Sequence, residues 1–115
     1  MKKSKVLLIE DEETVSKLII DFLSKHGYEV TAFSDGPEAL EHVRQRGLPH
    51  IALLDLGLPS MHGFELASHL KTMADVPIIF VTSSGDTETI VQGLRKYAED
   101  FIVKPFELRE LEARV

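Results

Sequence analysis

The stretch VLLIEDEE, residues 6–13, places four apolar residues directly before four acids. A short apolar run bounded by charge is typical of a strand that is buried inside a domain. Adjacent carboxylates repel one another, and such a group is costly unless a cation compensates it. The stretch therefore predicts a buried first strand with an acidic group at its end, and it raises the question of which cation that group binds.

Apolar runs and segments of helical periodicity alternate along the rest of the chain. Strands are predicted at 5–10, 28–34, 50–59, 76–83 and 100–106. Helices are predicted at 14–27, 36–47, 63–73, 86–98 and 107–115. The strands are continuous apolar runs, which indicates a parallel sheet with helices on both faces. The predicted fold is thus a five-stranded α/β domain that takes up all 115 residues. Because the last helix stops in mid-pattern, we expect this domain, residues 1–115, to be the N-terminal part of a longer protein.

Composition and charge exclude several classes of function. The chain has no cysteine, which excludes a disulfide scaffold, a thiolate zinc site and a cysteine nucleophile. A formal net charge of -6 makes the domain a poor direct binder of nucleic acid. No signal peptide and no apolar stretch of membrane-spanning length is visible. We therefore expect a cytoplasmic domain that does not contact a membrane.

Polar side chains occur where four of the predicted strands end. They are two acids after the first strand, one acid late in the third, hydroxyls after the fourth and a lysine after the fifth: Glu10, Asp11, Asp55, Thr82, Ser83, Ser84 and Lys104. In an open parallel sheet, ligands bind outside the carboxyl ends of the strands. We therefore expect these groups to converge at one edge of the sheet.

This set of groups suits a divalent cation and a phosphoryl group. Mg²⁺ binds to one or two protein carboxylates and completes its shell with waters or phosphate oxygens. An aspartate in an apolar segment, such as Asp55, needs a charged partner, which Lys104 can supply. A phosphoryl group on that aspartate would be neutralised by the metal and Lys104 and would accept a hydrogen bond from Thr82. Taken alone, the acids at 10–13 are explained as a solvated helix start, Asp55, Thr82 and Ser83 as turn or cap residues, and Lys104 as a loop charge. Their joint occurrence favours an acyl-phosphate site.

The chain resembles, over its whole length, the receiver domain of two-component response regulators. The resemblance rests on four motifs in order and at the family's spacing, IEDEE, DLGLPSMHG, VTSS and VKPF. It implies a doubly wound, flavodoxin-like sheet with strand order 2-1-3-4-5. It also implies a phosphorelay signalling domain, not a free-standing enzyme, in which Asp55 accepts a phosphoryl group from a sensor histidine kinase with Mg²⁺.

The resemblance also implies a role for each site residue. Four groups would hold Mg²⁺: Glu10, Asp11, Asp55 and the backbone carbonyl of Gly57. Thr82 would turn toward the phosphoryl group, and Lys104 would pair with it. Phe101 occupies the position of the family's switch aromatic, whose ring turns inward when the threonine moves.

Three residues depart from the family pattern. Glu10 stands where aspartate is commoner, so it could reach the metal directly or through a water. Gly57 has no side chain to position or block a water that attacks the phosphoryl group. Tyr97 replaces a usual glycine before the fifth strand, so either this position needs no positive φ or the loop is reshaped.

The resemblance implies that phosphorylation repacks the face formed by the fourth helix, the fifth strand and the fifth helix. This face could bind a second copy of the chain or an output domain, which would be C-terminal or a separate protein. Four charged residues fit the pattern of dimers through this face: Glu99, Asp100, Glu110 and Arg114.

Three other functions compete with this interpretation of the sequence. A haloacid-dehalogenase-type phosphatase would need a second aspartate where Gly57 stands. A flavodoxin-like FMN binder would need a phosphate-binding loop after the first strand, where this chain has acids. A degenerate receiver would act as an interaction module without phosphorylation, although here the acids, Asp55, Thr82 and Lys104 are all in place.

Overall fold

The computed structural model describes residues 3–83, 87–97, 99–104 and 106–115, so the predicted hydroxyl of Ser84 lies outside the described residues. Strands and helices alternate in the order β1 (Ser4–Ile9), α1 (Glu13–Lys25), β2 (Tyr28–Phe33), α2 (Gly36–Arg46), β3 (Ile51–Leu54), α3 (Gly63–Met73), β4 (Ile78–Thr82), α4 (Thr87–Lys96), β5 (Asp100–Val103) and α5 (Leu108–Arg114). All the strand pairs are parallel, and the sheet order is β2-β1-β3-β4-β5. The predicted fold class and strand order are confirmed.

The core has two parts, one on each face of the sheet. Alternate residues of β1 divide between them, because successive side chains of a strand point to opposite faces. Val6 and Leu8 pack with buried residues of α1 and α5, whereas Leu7 and Ile9 pack with those of α2 and α3. Burial on both faces explains why the strands are continuous apolar runs.

The third strand is shorter than the sequence predicted, and this changes the position of Asp55. We predicted a strand over 50–59, but β3 ends at Leu54, so Asp55 is the first residue after the strand. The apolar pattern extends further because Leu56 and Leu58 are buried within the loop that follows. Burial in this segment therefore does not mean strand geometry.

Gly63 lets α3 start directly against this loop. Its backbone N–H donates to the Leu56 carbonyl at 2.8 Å. A Cβ on Gly63 would lie 2.7 Å from the Leu56 Cα and would also clash with the Asp55 carbonyl oxygen. Only glycine permits this approach without displacing the backbone that carries Asp55.

Candidate functional site

Backbone hydrogen bonds continue past the strand ends and align the site residues side by side. The Asp55 N–H donates to the Ile9 carbonyl at 3.0 Å, which places Asp55 beside the end of β1. The Lys104 N–H donates to the Thr82 carbonyl at 2.8 Å, which places Lys104 beside the end of β4. The predicted convergence of these residues at one edge of the sheet is what the structure shows.

Three carboxylates form a compact cluster at this edge. Glu10, Asp11 and Asp55 each offer one oxygen, and these atoms all lie within 4.8 Å of one another. Glu10 is only 3% exposed and Asp55 is also buried, whereas Asp11 is open to solvent. The Gly57 N–H donates to Asp55 Oδ1 at 3.3 Å, so the first turn of the loop after β3 contacts the Asp55 carboxylate.

Lys104 is the cation that accompanies this cluster. Its Nζ lies 2.7 Å from Glu10 Oε1, 3.1 Å from Asp55 Oδ2 and 3.1 Å from Glu12 Oε1. The lysine side chain is 11% exposed. Burial alone would lower the pKa of Lys104, but its close contacts with the three carboxylates outweigh this effect and raise the pKa above its ordinary value.

Glu10 has the most perturbed carboxyl group of the site. Its pKa is raised from 4.5 to about 7, chiefly by burial and in smaller part by the nearby Asp55 charge. The contact with Lys104 lowers this pKa, and so does the Glu12 N–H, which donates to Glu10 Oε2 at 3.1 Å. The result is a buried acid that is only partly compensated by the protein itself.

The carboxylate cluster fits a hard divalent cation. Glu10 Oε1 is buried and accepts no hydrogen bond of ordinary geometry from any described residue, although Lys104 Nζ lies close to it. An additional cation would complete the interactions of this oxygen. Carboxylate oxygens are the protein ligands that Mg²⁺ prefers, and three of them are within reach of one ion.

A cleft of about 360 Å³ opens beside the cluster and contains residues that the sequence did not point to. Its lining is Asp11, Glu12, Asp55, Leu56, Gly57, His62, Thr82, Ser83 and Thr89. Glu12 and Glu13 are neighbouring acids at the start of α1, but Glu12 pairs with Lys104 whereas Glu13 pairs with Lys17. His62 Nδ1 accepts the Phe64 N–H at 3.0 Å and so caps α3. In the sequence, the feature that could have indicated His62 is its position directly before Gly63, where the third helix begins.

Phe101 belongs to β5, and its ring packs against Phe80 of β4 and Gly93 of α4. Its ring centroid is 5.0 Å from that of Phe80, and the ring is half-buried. Gly93 of α4 makes room for it, since a Cβ there would lie 2.5 Å from Phe101 Cε2. Tyr97 has no positive φ, because the described residues with positive φ are all glycines. Of the two alternatives for this departure, the first therefore holds: position 97 needs no positive φ.

Known proteins resemble this chain throughout its length. The family model for the response regulator receiver domain matches residues 6–115. A protein named "Probable transcriptional regulator ycf27" from Porphyridium aerugineum is 40% identical over 115 residues, which are 100% of this chain and 48% of that protein. The DNA-binding response regulator MtrA of Mycobacterium leprae is 35% identical over 113 residues, 98% of this chain and 50% of that protein. The chain thus spans about half the length of these curated relatives.

Solved structures give the same result. The CheY-like response regulator receiver domain protein of Methanospirillum hungatei superposes with a TM-score of 0.91 at 26% identity, covering 98% of this chain and 90% of that one. Among the described residues, no helix has the length and apolar character needed to cross a membrane. Sequence, fold and site geometry agree, and the chain belongs to the family of response regulator receiver domains.

Proposed function

We propose that this domain is a phosphorylation switch of a two-component system, with Asp55 as the phosphoacceptor. The proposal is carried by one observation, the convergence of three carboxylates and Lys104 on the end of β3. Asp55 joins the two parts of this arrangement, since it belongs to the carboxylate cluster and also pairs with Lys104. The donor is a phosphohistidine of a sensor kinase, the partner implied for response regulators.

In the proposed transfer, an Asp55 carboxylate oxygen forms a bond to phosphorus. The phosphorus–nitrogen bond of the phosphohistidine breaks, and its electron pair stays with the imidazole. Lys104 pairs with a phosphoryl oxygen, and the Thr82 hydroxyl donates a hydrogen bond to another. Mg²⁺, held by Glu10, Asp11, Asp55 and the Gly57 carbonyl, would supply positive charge that offsets the charge of the phosphoryl oxygens.

The response to phosphorylation is proposed to involve Thr82, Phe101 and the face formed by α4, β5 and α5. Thr82 is buried and lines the same cleft as Asp55 and Thr89 of α4. The Phe101 ring packs against Gly93 of α4, so movement of either side chain would affect α4. This face exposes three large apolar side chains, Val91, Leu94 and Val103. We infer that it binds a second copy of the chain.

The charged residues of this face are already paired within one chain. Arg114 Nη1 lies 2.6 Å from Asp100 Oδ2 and so ties α5 to β5. Glu99 Oε2 accepts the Ile78 N–H at 2.6 Å, which holds it against the start of β4. Dimerisation through this face would therefore depend chiefly on the apolar side chains. The names of the relatives suggest an output domain that acts on DNA, on the same chain or on a partner.

Phosphorylation can be tested by incubating the protein with acetyl phosphate and Mg²⁺ and measuring the intact mass. The wild-type protein should gain the mass of one phosphoryl group, and EDTA should prevent the gain. Asp55→Asn should show no gain, whereas Asp75→Asn, which changes an exposed aspartate outside the site, should match the wild type. An equal gain in Asp55→Asn would overturn the assignment.

A further inference from the structure

Glu12 makes a contact that its position in the chain does not explain. It directly precedes α1, where a side chain usually accepts an N–H of the first turn, but its carboxylate makes no such hydrogen bond. Instead, Glu12 Oε1 accepts a hydrogen bond from Lys104 Nζ at 3.1 Å, across 92 positions of sequence. A carboxylate that is 60% exposed is thus held by an ammonium group that is almost buried.

The other two partners of Lys104 both belong to the proposed metal site. Glu10 and Asp55 lie in the cluster that can hold a divalent ion, and Glu12 does not. An ammonium group and a divalent cation repel each other and would compete for the same carboxylate oxygens. Glu12 is therefore the one of the three carboxylates that can keep Lys104 while the other two are engaged by a metal.

We propose that Glu12 is a positioning residue that holds the Lys104 ammonium at the rim of the site and so reduces its competition with Mg²⁺ for Glu10 and Asp55. This inference rests on the proposed function, since it assumes that the cluster binds the metal. Without Glu12, Lys104 would pair only with the two metal-binding carboxylates and would have to be displaced by the incoming ion. Mg²⁺ affinity would then fall.

Glu13 provides a matched control for the loss of one negative charge. It is the next residue, is also an exposed glutamate, and pairs with Lys17 on the surface of α1 at 3.0 Å. Among the described residues, the Glu13 carboxylate pairs with Lys17 and not with Lys104. A comparison of Glu12→Gln with Glu13→Gln therefore distinguishes the contact with Lys104 from a general loss of acidity near the site.

The test is a double-mutant cycle on Mg²⁺ affinity, measured by isothermal titration calorimetry without any phosphoryl donor. We expect Glu12→Gln to weaken Mg²⁺ binding by roughly twofold to fivefold, the range that an exposed ion pair supplies, and Glu13→Gln to change it less. Lys104→Gln should strengthen binding, because it removes the competing cation. In the Lys104→Gln background, Glu12→Gln should have little further effect, provided that circular dichroism shows all variants to be folded.

An equal effect of Glu12→Gln in both backgrounds would overturn the inference, because the carboxylate would then act by its charge alone. Equal effects of Glu12→Gln and Glu13→Gln would overturn it as well. Both outcomes leave the proposed function intact, since they require Mg²⁺ to bind. Failure of the wild-type protein to bind Mg²⁺ would instead overturn the metal site, and the inference with it.

Discussion

Lys104 Nζ lies 2.7 Å from Glu10 Oε1, although β3 and β4 separate their two strands in the sheet. Lys104 also contacts Asp55, and the side chains of Lys104 and Glu10 are both largely buried. One ammonium faces three carboxylates, so the site keeps an excess of negative charge. Such an excess is costly in a buried position and favours either a proton or a metal ion.

The excess charge predicts a pH dependence of stability in the absence of metal. Because burial raises the Glu10 pKa from 4.5 in the unfolded chain to about 7, the folded state retains this proton as the unfolded state loses it. The stabilisation of the folded state by the Glu10 proton is complete below pH 4.5 and is lost as the pH rises through about 7. Lys104 adds no slope in this window, because its raised pKa keeps it charged in both states.

Urea unfolding in EDTA at about pH 5 and about pH 8 measures this effect. Between these two pH values the wild-type protein should lose on the order of 2 kcal/mol of its free energy of unfolding, and Glu10→Gln should abolish this loss. Glu41→Gln, which removes an exposed carboxylate of α2, should keep the wild-type slope. A wild-type slope in Glu10→Gln would show that another group is responsible.

The sequence was sufficient for the parts of the site that follow from topology. Strand ends in a parallel sheet meet at one edge, so Asp55, Thr82 and Lys104 could be brought together without coordinates. The contact between Glu12 and Lys104 could not, because it depends on how one exposed side chain is oriented. The end of β3 was also missed, because Leu56 continues the apolar pattern while lying in a loop.

A second prediction concerns Gly63, whose missing side chain lets α3 approach the backbone of Asp55. Gly63→Ala should destabilise the protein by about 1–3 kcal/mol, because the added methyl group must displace Asp55 or Leu56. Urea unfolding measures the loss. Gly57→Ala provides the control for stability, since nothing lies within 4 Å of a Cβ at that exposed position. Equal losses in the two variants would contradict this explanation.

A third prediction concerns the space that Gly93 leaves for Phe101. A Cβ at position 93 would lie 2.5 Å from the Phe101 ring and 2.9 Å from the Phe64 ring. Gly93→Ala should therefore destabilise the protein, despite the gain of about 0.5–1 kcal/mol that alanine brings within a helix. Its cost should fall in a Phe101→Ala background, where the main clash is absent. A cost that is the same in both backgrounds would show that Phe64, not Phe101, limits the space.

The last prediction concerns the apolar side chains on the face formed by α4, β5 and α5. Leu94 is 42% exposed on α4, and burying it against a second copy would remove apolar surface from water. In beryllofluoride and Mg²⁺, which mimic the phosphorylated state, Leu94→Asp should weaken dimerisation by about tenfold or more, since a buried unpaired charge costs over 1.4 kcal/mol. Sedimentation equilibrium measures the dimer.

Leu48→Asp is the matched control, because Leu48 is 45% exposed but follows α2, away from this face. It should dimerise like the wild-type protein. If both variants dimerise equally well, the second copy binds elsewhere. If only Leu48→Asp loses the dimer, the interface includes the loop between α2 and β3 instead of the face formed by α4, β5 and α5.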